Sequence, residues 1–111
     1  MSSTKVEYND RIEWHNEKGK LHREDGPAIE WPDGSKVWYL NGELHREGGP
    51  AVEHTNGYKA WFLNRECHRV DGPAIQWPDG SKFWYLNDKE YPKEQWEKEV
   101  LKLRLKRLSE L

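Results

Sequence analysis

One segment of this chain returns every 23 residues, and this period constrains the fold more than any other feature. The clearest copy, LHREDGPAIEWPDGSKVWYL, covers residues 21–40. The positions that keep the interval are a histidine, two glycines, a tryptophan and an asparagine: His22, His45 and His68; Gly26, Gly49 and Gly72; Gly34, Gly57 and Gly80; Trp38, Trp61 and Trp84; Asn41, Asn64 and Asn87. Such a period is typical of repeat proteins, in which each unit buries its apolar face against the next.

Each repeat carries the signals of a β-hairpin. In the first copy, a short strand pattern over residues 28–31 leads into the turn sequence Pro32-Asp33-Gly34. Proline presets φ for the first central position of a turn, and glycine accepts a positive φ without a steric clash. Residues 35–40 then return with β-forming side chains. The sequence therefore predicts two antiparallel strands around this turn.

A second turn signal closes each copy. It is Asn41-Gly42 after the first copy, Asn64-Arg65 after the second and Asn87-Asp88 after the third. Asparagine and other non-glycine residues enter the left-handed backbone region less easily than glycine. We therefore expect the last two of these turns to be the less stable ones.

The chain divides into a cap, three repeats and a helix within one domain. Residues 5–20 resemble a degenerate N-terminal capping hairpin, with one residue of slippage near 17–19, and residues 21–88 hold the three repeats. Residues 91–109 have helical periodicity, with Pro92 suited to the first helical position and an apolar stripe over about half of the helix. The prediction is a mainly β fold: an elongated single-layer antiparallel sheet of stacked hairpin repeats with one C-terminal amphipathic α-helix.

Composition and charge exclude several classes of function. The 14 aromatic residues, seven of them tryptophan, suit a thin sheet held by aromatic stripes. The net charge is −2, and because the last 20 residues carry six Lys or Arg and four Glu, the rest of the chain carries −4. Nucleic acid is not an expected partner, since sequence-independent binding depends on neutralising phosphates. No apolar run is long enough for a membrane span.

The repeat resembles the MORN repeat, in the variant found in bacterial and phage proteins. The matching residues, an Asn-Gly pair, His, two Gly, an aromatic pair and Asn, are Asn41, Gly42, His45, Gly49, Gly57, Trp61, Phe62 and Asn64. The match covers residues 11–88, and the proline before each alanine (Pro27, Pro50, Pro73) and the arginine after each histidine are features of the variant. The resemblance implies one hairpin per repeat, contact with protein or lipid in place of catalysis, and kinship with bacterial antitoxins.

The three His-Arg pairs raise the question of a metal or anion site. If each repeat adds two strands, equivalent residues lie about 10 Å apart. Zinc ligands lie within about 4 Å of one another, so equivalent histidines cannot share a metal. Each histidine could instead close its own turn through a backbone hydrogen bond, or the row could face a phosphate-bearing or acidic partner. Cys67 is interpreted as a small buried hydrophobe, and no catalytic residue, metal site or cofactor is predicted.

Partner contact is the remaining role for the prominent side chains. Adjacent strand residues face opposite sides, so the repeated tryptophans are expected on one face and Tyr39, Phe62 and Tyr85 on the other. The candidate partner-binding residues are His22, Arg23, His45, Arg46, His68, Arg69, Tyr39, Phe62, Tyr85, Trp31, His54, Trp77, Trp96 and Leu103. His54 occupies the repeat position of Trp31 and Trp77, so the middle repeat has a smaller and more polar side chain there, which is a candidate contact point.

These observations predict a non-enzymatic protein-binding module. With the resemblance, we expect a bacterial or phage inhibitor, antitoxin-like or anti-defence, that neutralises a target protein. The alternatives are a structural or virion-associated subunit that assembles with itself, as a homodimer through the helix or through a sheet edge, and a sponge for a phosphorylated nucleotide signal. The single cysteine fits a reducing compartment, so the expected location is the cytoplasm of a bacterium or a phage-infected host.

Overall fold

The computed structural model describes residues 3–111 and shows an antiparallel hairpin sheet followed by one helix, which confirms the predicted fold class. The strands in chain order are β1 (Thr4–Glu7), β2 (Ile12–His15), β3 (Ile29–Glu30), β4 (Lys36–Val37), β5 (Tyr39–Leu40), β6 (Glu43–Leu44), β7 (Val52–Glu53), β8 (Lys59–Ala60), β9 (Phe62–Leu63), β10 (Glu66–Cys67), β11 (Ile75–Gln76), β12 (Lys82–Leu86) and β13 (Lys89–Tyr91). Helix α1 (Lys93–Ser109) follows.

Each repeat contributes two hairpins, where the resemblance implied one. The hairpins around the glycine turns, β3–β4, β7–β8 and β11–β12, lie in a nine-stranded sheet ordered β1-β2-β3-β4-β7-β8-β11-β12-β13. The hairpins around the asparagine turns include β5–β6 and β9–β10, which form separate two-stranded sheets. The ladder breaks at Trp38 and Trp61, between two short strands, whereas β12 runs without a break through Trp84.

Cross-strand register gives the main sheet an apolar face and a charged face. One row of directly opposed residues is aliphatic or aromatic: Ile29, Val37, Val52, Ala60, Ile75 and Phe83. The adjacent row points to the opposite face and mostly alternates acid and base: Glu30, Lys36, Glu53, Lys59, Gln76 and Lys82. Directly opposed opposite charges stabilise a sheet, so this alternation favours the observed register over a slip by one residue.

The asparagine turns have the backbone that the sequence predicts. Asn41, Asn64 and Asn87 have φ values of 49°, 49° and 48°. The residue after each also has a positive φ, and it is glycine only in the first turn; the other two place Arg65 and Asp88 at 72° and 71°. Two successive residues with positive φ are the pattern of a type I′ hairpin turn, which favours Asn-Gly.

The N-terminal hairpin extends the sheet by two strands. β1 pairs with β2, and β2 pairs with β3 through Ile12–Glu30 and Glu13–Ile29. A loop follows in which the side chain of Asn16 accepts hydrogen bonds from the backbone N–H groups of Lys18 and Lys20. This loop lies in the region of the predicted slippage.

Helix α1 packs on the last hairpin through one narrow face. Pro92 is the N-cap residue and lies one position before the helix, where the sequence suggested the first helical position. Trp96 and Val100 are buried against Leu86. The predicted apolar stripe is only partly covered: Leu101, Leu105 and Leu108 lie on another side of the helix, and Leu103, on the side of Trp96 and Val100, is still 43% exposed. Among residues 3–111, no helix combines the length and apolar character needed to cross a bilayer.

Candidate binding face

Three arginines lie flat on the tryptophans of the preceding hairpins. The guanidinium carbon of Arg46 lies 3.7 Å from the centre of the Trp38 ring. The corresponding distances are 3.8 Å for Arg23 over Trp14 and 3.8 Å for Arg69 over Trp61. A cation at this distance from an indole face is attracted by the ring quadrupole. We call the side of the main sheet that carries these three arginines the arginine face.

A glycine three residues after each arginine makes room for the guanidinium. A Cβ at Gly26, Gly49 or Gly72 would lie 2.9, 2.8 or 2.7 Å from the guanidinium carbon of Arg23, Arg46 or Arg69, too close for van der Waals contact. None of these three glycines has a positive φ, so close approach explains them and a turn conformation does not. Each guanidinium is therefore held between an indole ring and a glycine.

Each arginine also donates a hydrogen bond to the carbonyl of the proline that follows its glycine. The distances from Nη1 to the oxygens of Pro27, Pro50 and Pro73 are 3.2, 3.0 and 3.0 Å. Each arginine is thus bonded to its own loop, whereas the indole ring that it contacts belongs to the preceding hairpin. The predicted partner-binding arginines thus connect successive repeats.

The histidines link each repeat to the asparagine turn that closes it. Nδ1 of His22, His45 and His68 accepts a hydrogen bond of 2.9 Å from the backbone N–H of the asparagine 19 residues later. Each histidine thus makes the backbone hydrogen bond to a turn that the sequence suggested, and the turn is the one at the far end of its repeat. Because Nδ1 accepts, the neutral ring carries its proton on Nε2.

Burial is complete only for the first of these histidines, while His45 and His68 are partly exposed and line the two grooves described below. His22 is 2% exposed, and its Nε2 lies 3.6 Å from the carboxylate of Glu24. Burial lowers the pKa of His68, against a smaller opposing effect of the Glu66 charge. Within residues 3–111, no three His, Cys, Asp or Glu side chains come together as a set of metal ligands.

Two neighbouring grooves lie between the arginines. Groove 1, about 630 Å³, lies between Arg23 and Arg46 and includes Trp38, His45 and Glu47 in its walls. Groove 2, about 370 Å³, lies between Arg46 and Arg69. Arg46 lines both grooves. The arginine face therefore has two adjacent recesses with one shared cationic side chain.

The helix supplies the contact that a fourth repeat would have made. Among the described residues no arginine lies on the Trp84 ring; the ring centre of Trp96 lies 4.7 Å away instead, and the ammonium of Lys93 lies 5.3 Å from the Trp84 ring centre. The indole N–H of Trp96 donates to the Arg69 carbonyl at 3.0 Å. Trp96 is only 7% exposed. It was predicted as a partner contact, and the structure places it in the core, because it covers the last tryptophan of the row.

Three of the remaining ring-bearing candidates form a second row, together with Tyr58, at the glycine-turn ends of the strands. Trp31, His54, Tyr58 and Trp77 follow one another with ring centroids 6.4, 5.7 and 4.6 Å apart. Tyr58, which the sequence analysis did not select, completes the row. Trp77 is 46% exposed, while Tyr39, Phe62 and Tyr85 are half-buried in β5, β9 and β12.

Two contacts of the arginine face were not predicted from the sequence: the close approach of each arginine to a glycine and the stacking of Arg23 on Trp14. One signal was available: every His-Arg pair is followed at a constant interval by a glycine, and the first arginine also has a tryptophan upstream.

Cys67 is buried, and burial with the nearby Asp88 charge raises the pKa of its thiol to about 12. In comparisons with protein-family models, curated proteins and solved structures, this chain matches none.

Proposed function

We propose that this chain is a non-enzymatic protein-binding repeat module of the MORN-variant type, and that it acts by occupying a target protein. The observation that carries the proposal is the pair of adjacent grooves on the arginine face, which share Arg46. Indole contacts and hydrogen bonds fix the side chains of Arg23, Arg46 and Arg69, which border the grooves. These side chains therefore have little conformational entropy left to lose on binding. Arginine and tryptophan are also the residue types most enriched at binding hot spots.

The inhibitory role, antitoxin-like or anti-defence, is part of this proposal and derives from the resemblance to the MORN variant. A binding face without a catalytic group fits a protein that blocks its target by covering it. The target would be a protein whose surface presents an extended segment to the two grooves.

Affinity capture from a bacterial lysate tests this proposal. The tagged wild-type chain is compared with Arg46→Gln, which alters the shared wall of both grooves, and with Arg107→Gln, a matched change on the exposed end of the helix. We expect one stoichiometric protein that Arg107→Gln retains and Arg46→Gln loses. Capture of the same protein by all three forms would exclude the arginine face, and capture of none would contradict the binding function in that lysate.

Self-assembly is a second candidate function, favoured by the exposed leucines of helix α1. Leu101, Leu105 and Leu108 recur at intervals of four and three residues and are more than half exposed. Such spacing places them on one side of the helix. Solution mass measured over a range of concentrations tests this alternative: Leu105→Lys would abolish a concentration-dependent rise in mass if this face assembles, and a constant monomer mass would exclude it.

A further inference from the structure

The middle repeat lacks an aspartate that its two neighbours have. In the first and third repeats, Nε of Arg23 and Arg69 donates to the carboxylates of Asp25 and Asp71 at 3.1 and 2.8 Å. The corresponding residue in the middle repeat is Gly48. Within the described residues, Arg46 contacts Trp38, donates to the Pro50 carbonyl and lies 3.7 Å from the carboxylate of Glu53, but its Nε has no hydrogen-bond partner.

This difference leaves the central arginine more open. The Arg46 side chain is 30% exposed, against 21% for Arg23 and 19% for Arg69. A Cβ at Gly48 would meet no atom within 4 Å. Gly48 also has a φ of 81°, which neither Asp25 nor Asp71 shares, so the loop beside Arg46 differs in both side chain and backbone from the neighbouring repeats.

The charge of the two grooves differs partly for the same reason and partly because Val70 occupies the repeat position of Glu24 and Glu47. Groove 1 has two arginines against three acids, Glu24, Asp25 and Glu47. Groove 2, which Gly48 lines, has Arg46 and Arg69 against Asp71 as its single carboxylate. The residues that line groove 2 therefore carry a more positive formal charge than those of groove 1, although Glu53 lies 3.7 Å from Arg46, so an acidic group is favoured in groove 2 over groove 1. An apolar wall that includes Trp61, Leu63 and Val70 lies in the same groove.

We propose that groove 2 binds an acidic side chain of the partner protein, whose carboxylate accepts a hydrogen bond from Arg46 Nε as Asp25 and Asp71 do for their own arginines. An apolar residue next to that acid would pack on the wall formed by Trp61, Leu63 and Val70. This inference rests on the proposed protein-binding function and specifies its chemistry: an acidic residue beside an apolar one. A carboxylate bonded to a guanidinium is among the strongest hydrogen-bonded pairs in proteins.

NMR of the arginine Nε–H groups tests the inference directly. The ¹⁵N-labelled full chain is titrated with acetyl-Asp-Leu-amide, with its uncharged isostere acetyl-Asn-Leu-amide, and with inorganic phosphate. We expect the Asp peptide to shift the Arg46 Nε–H signal saturably and more than that of Arg69, which lines the same groove, to leave that of Arg23 unchanged, and to bind about tenfold or more tightly than the Asn peptide. A silent Arg46 signal, equal responses to both peptides, or a stronger response to phosphate would overturn the proposal.

Two substitutions at the repeat position supply matched tests. Gly48 has a φ of 81°, a region that aspartate tolerates better than most residues. Gly48→Asp restores the aspartate of the neighbouring repeats and should abolish the peptide response, while Gly48→Ala carries the backbone strain without a carboxylate and should retain it. Asp71→Gly should make the Arg69 Nε–H signal responsive to the Asp peptide. A full response in Gly48→Asp, or none at Arg69 in Asp71→Gly, would contradict the inference.

The captured partner separates this inference from the broader function. If Gly48→Asp loses the partner and Gly48→Ala keeps it, the acidic recognition is supported in the complex itself. If both variants keep a partner that Arg46→Gln loses, the chain binds protein but not through this carboxylate site. If no partner is captured, the proposed function fails in that lysate, and the peptide titration still decides the chemistry of groove 2.

Discussion

Gly72→Ala should change stability in a direction that depends on Arg69. The added Cβ would lie 2.7 Å from the guanidinium carbon, so the guanidinium must shift from its place over Trp61, and the full loss of its contacts sets the upper limit of the effect. The losses are a cation–π contact of about 0.5–2 kcal/mol and a hydrogen bond to the Pro73 carbonyl of about 1 kcal/mol. Replacing glycine also restricts the unfolded chain, a gain of about 0.4–1 kcal/mol. The expected net loss is about 1–2 kcal/mol.

Urea denaturation followed by tryptophan fluorescence measures this change. With a slope of about 2 kcal/mol per molar urea, the midpoint should fall by roughly 0.5–1 M. The control is the same substitution in an Arg69→Ala background, where the space is vacant. There Gly72→Ala should be neutral or raise the midpoint, since only the effect on the unfolded chain remains. Equal destabilisation in both backgrounds would show that the glycine does not serve the arginine.

Three further predictions concern a turn, a histidine and the cysteine. Arg65→Gly should stabilise by about 0.5–1 kcal/mol because Arg65 has a φ of 72°; an unchanged urea midpoint would contradict the strain argument. Burial lowers the pKa of His68 in the folded protein, so near that pKa the unfolded chain binds more protons than the folded one. The free energy of unfolding is therefore highest where the imidazole is neutral in both states, and it decreases as pH falls below about 6.5. His68→Gln should therefore flatten the fall in stability between about pH 7 and 5, and an identical slope in both proteins would exclude this contribution. Cys67 is buried with a thiol pKa raised to about 12, so it should react with a thiol reagent at pH 8 only as fast as the chain opens; a burst of labelling in the folded protein would contradict this.

The pattern of glycine, proline and asparagine determined most of the fold. The signals Asp33-Gly34, Asn41-Gly42, Asn56-Gly57 and Asp79-Gly80 mark a local backbone requirement, and the structure places a turn with a positive-φ glycine at each of them. The helix was also predictable, because its periodicity and proline start are local properties. The number of hairpins per repeat was not, since the break at Trp38 depends on how a strand leaves one sheet for another.

The candidate site was predicted in its residues but not in their roles. The period singled out every histidine and arginine of the arginine face, yet a repeat pattern cannot say which neighbour each side chain meets. Arg46 contacts the indole of Trp38 and Trp96 covers Trp84, and both contacts join segments brought together by folding.

The sequence by itself determined a periodic series of turns and strands and a helix after them, because these follow from backbone preferences within a few residues. Only the tertiary structure decided that His22 is buried and that the arginines connect repeats. It also showed that Gly48 leaves Arg46 Nε without the carboxylate its neighbours have. The physical reason is that these properties depend on distances between separate hairpins, which the spacing of residues along a chain does not contain.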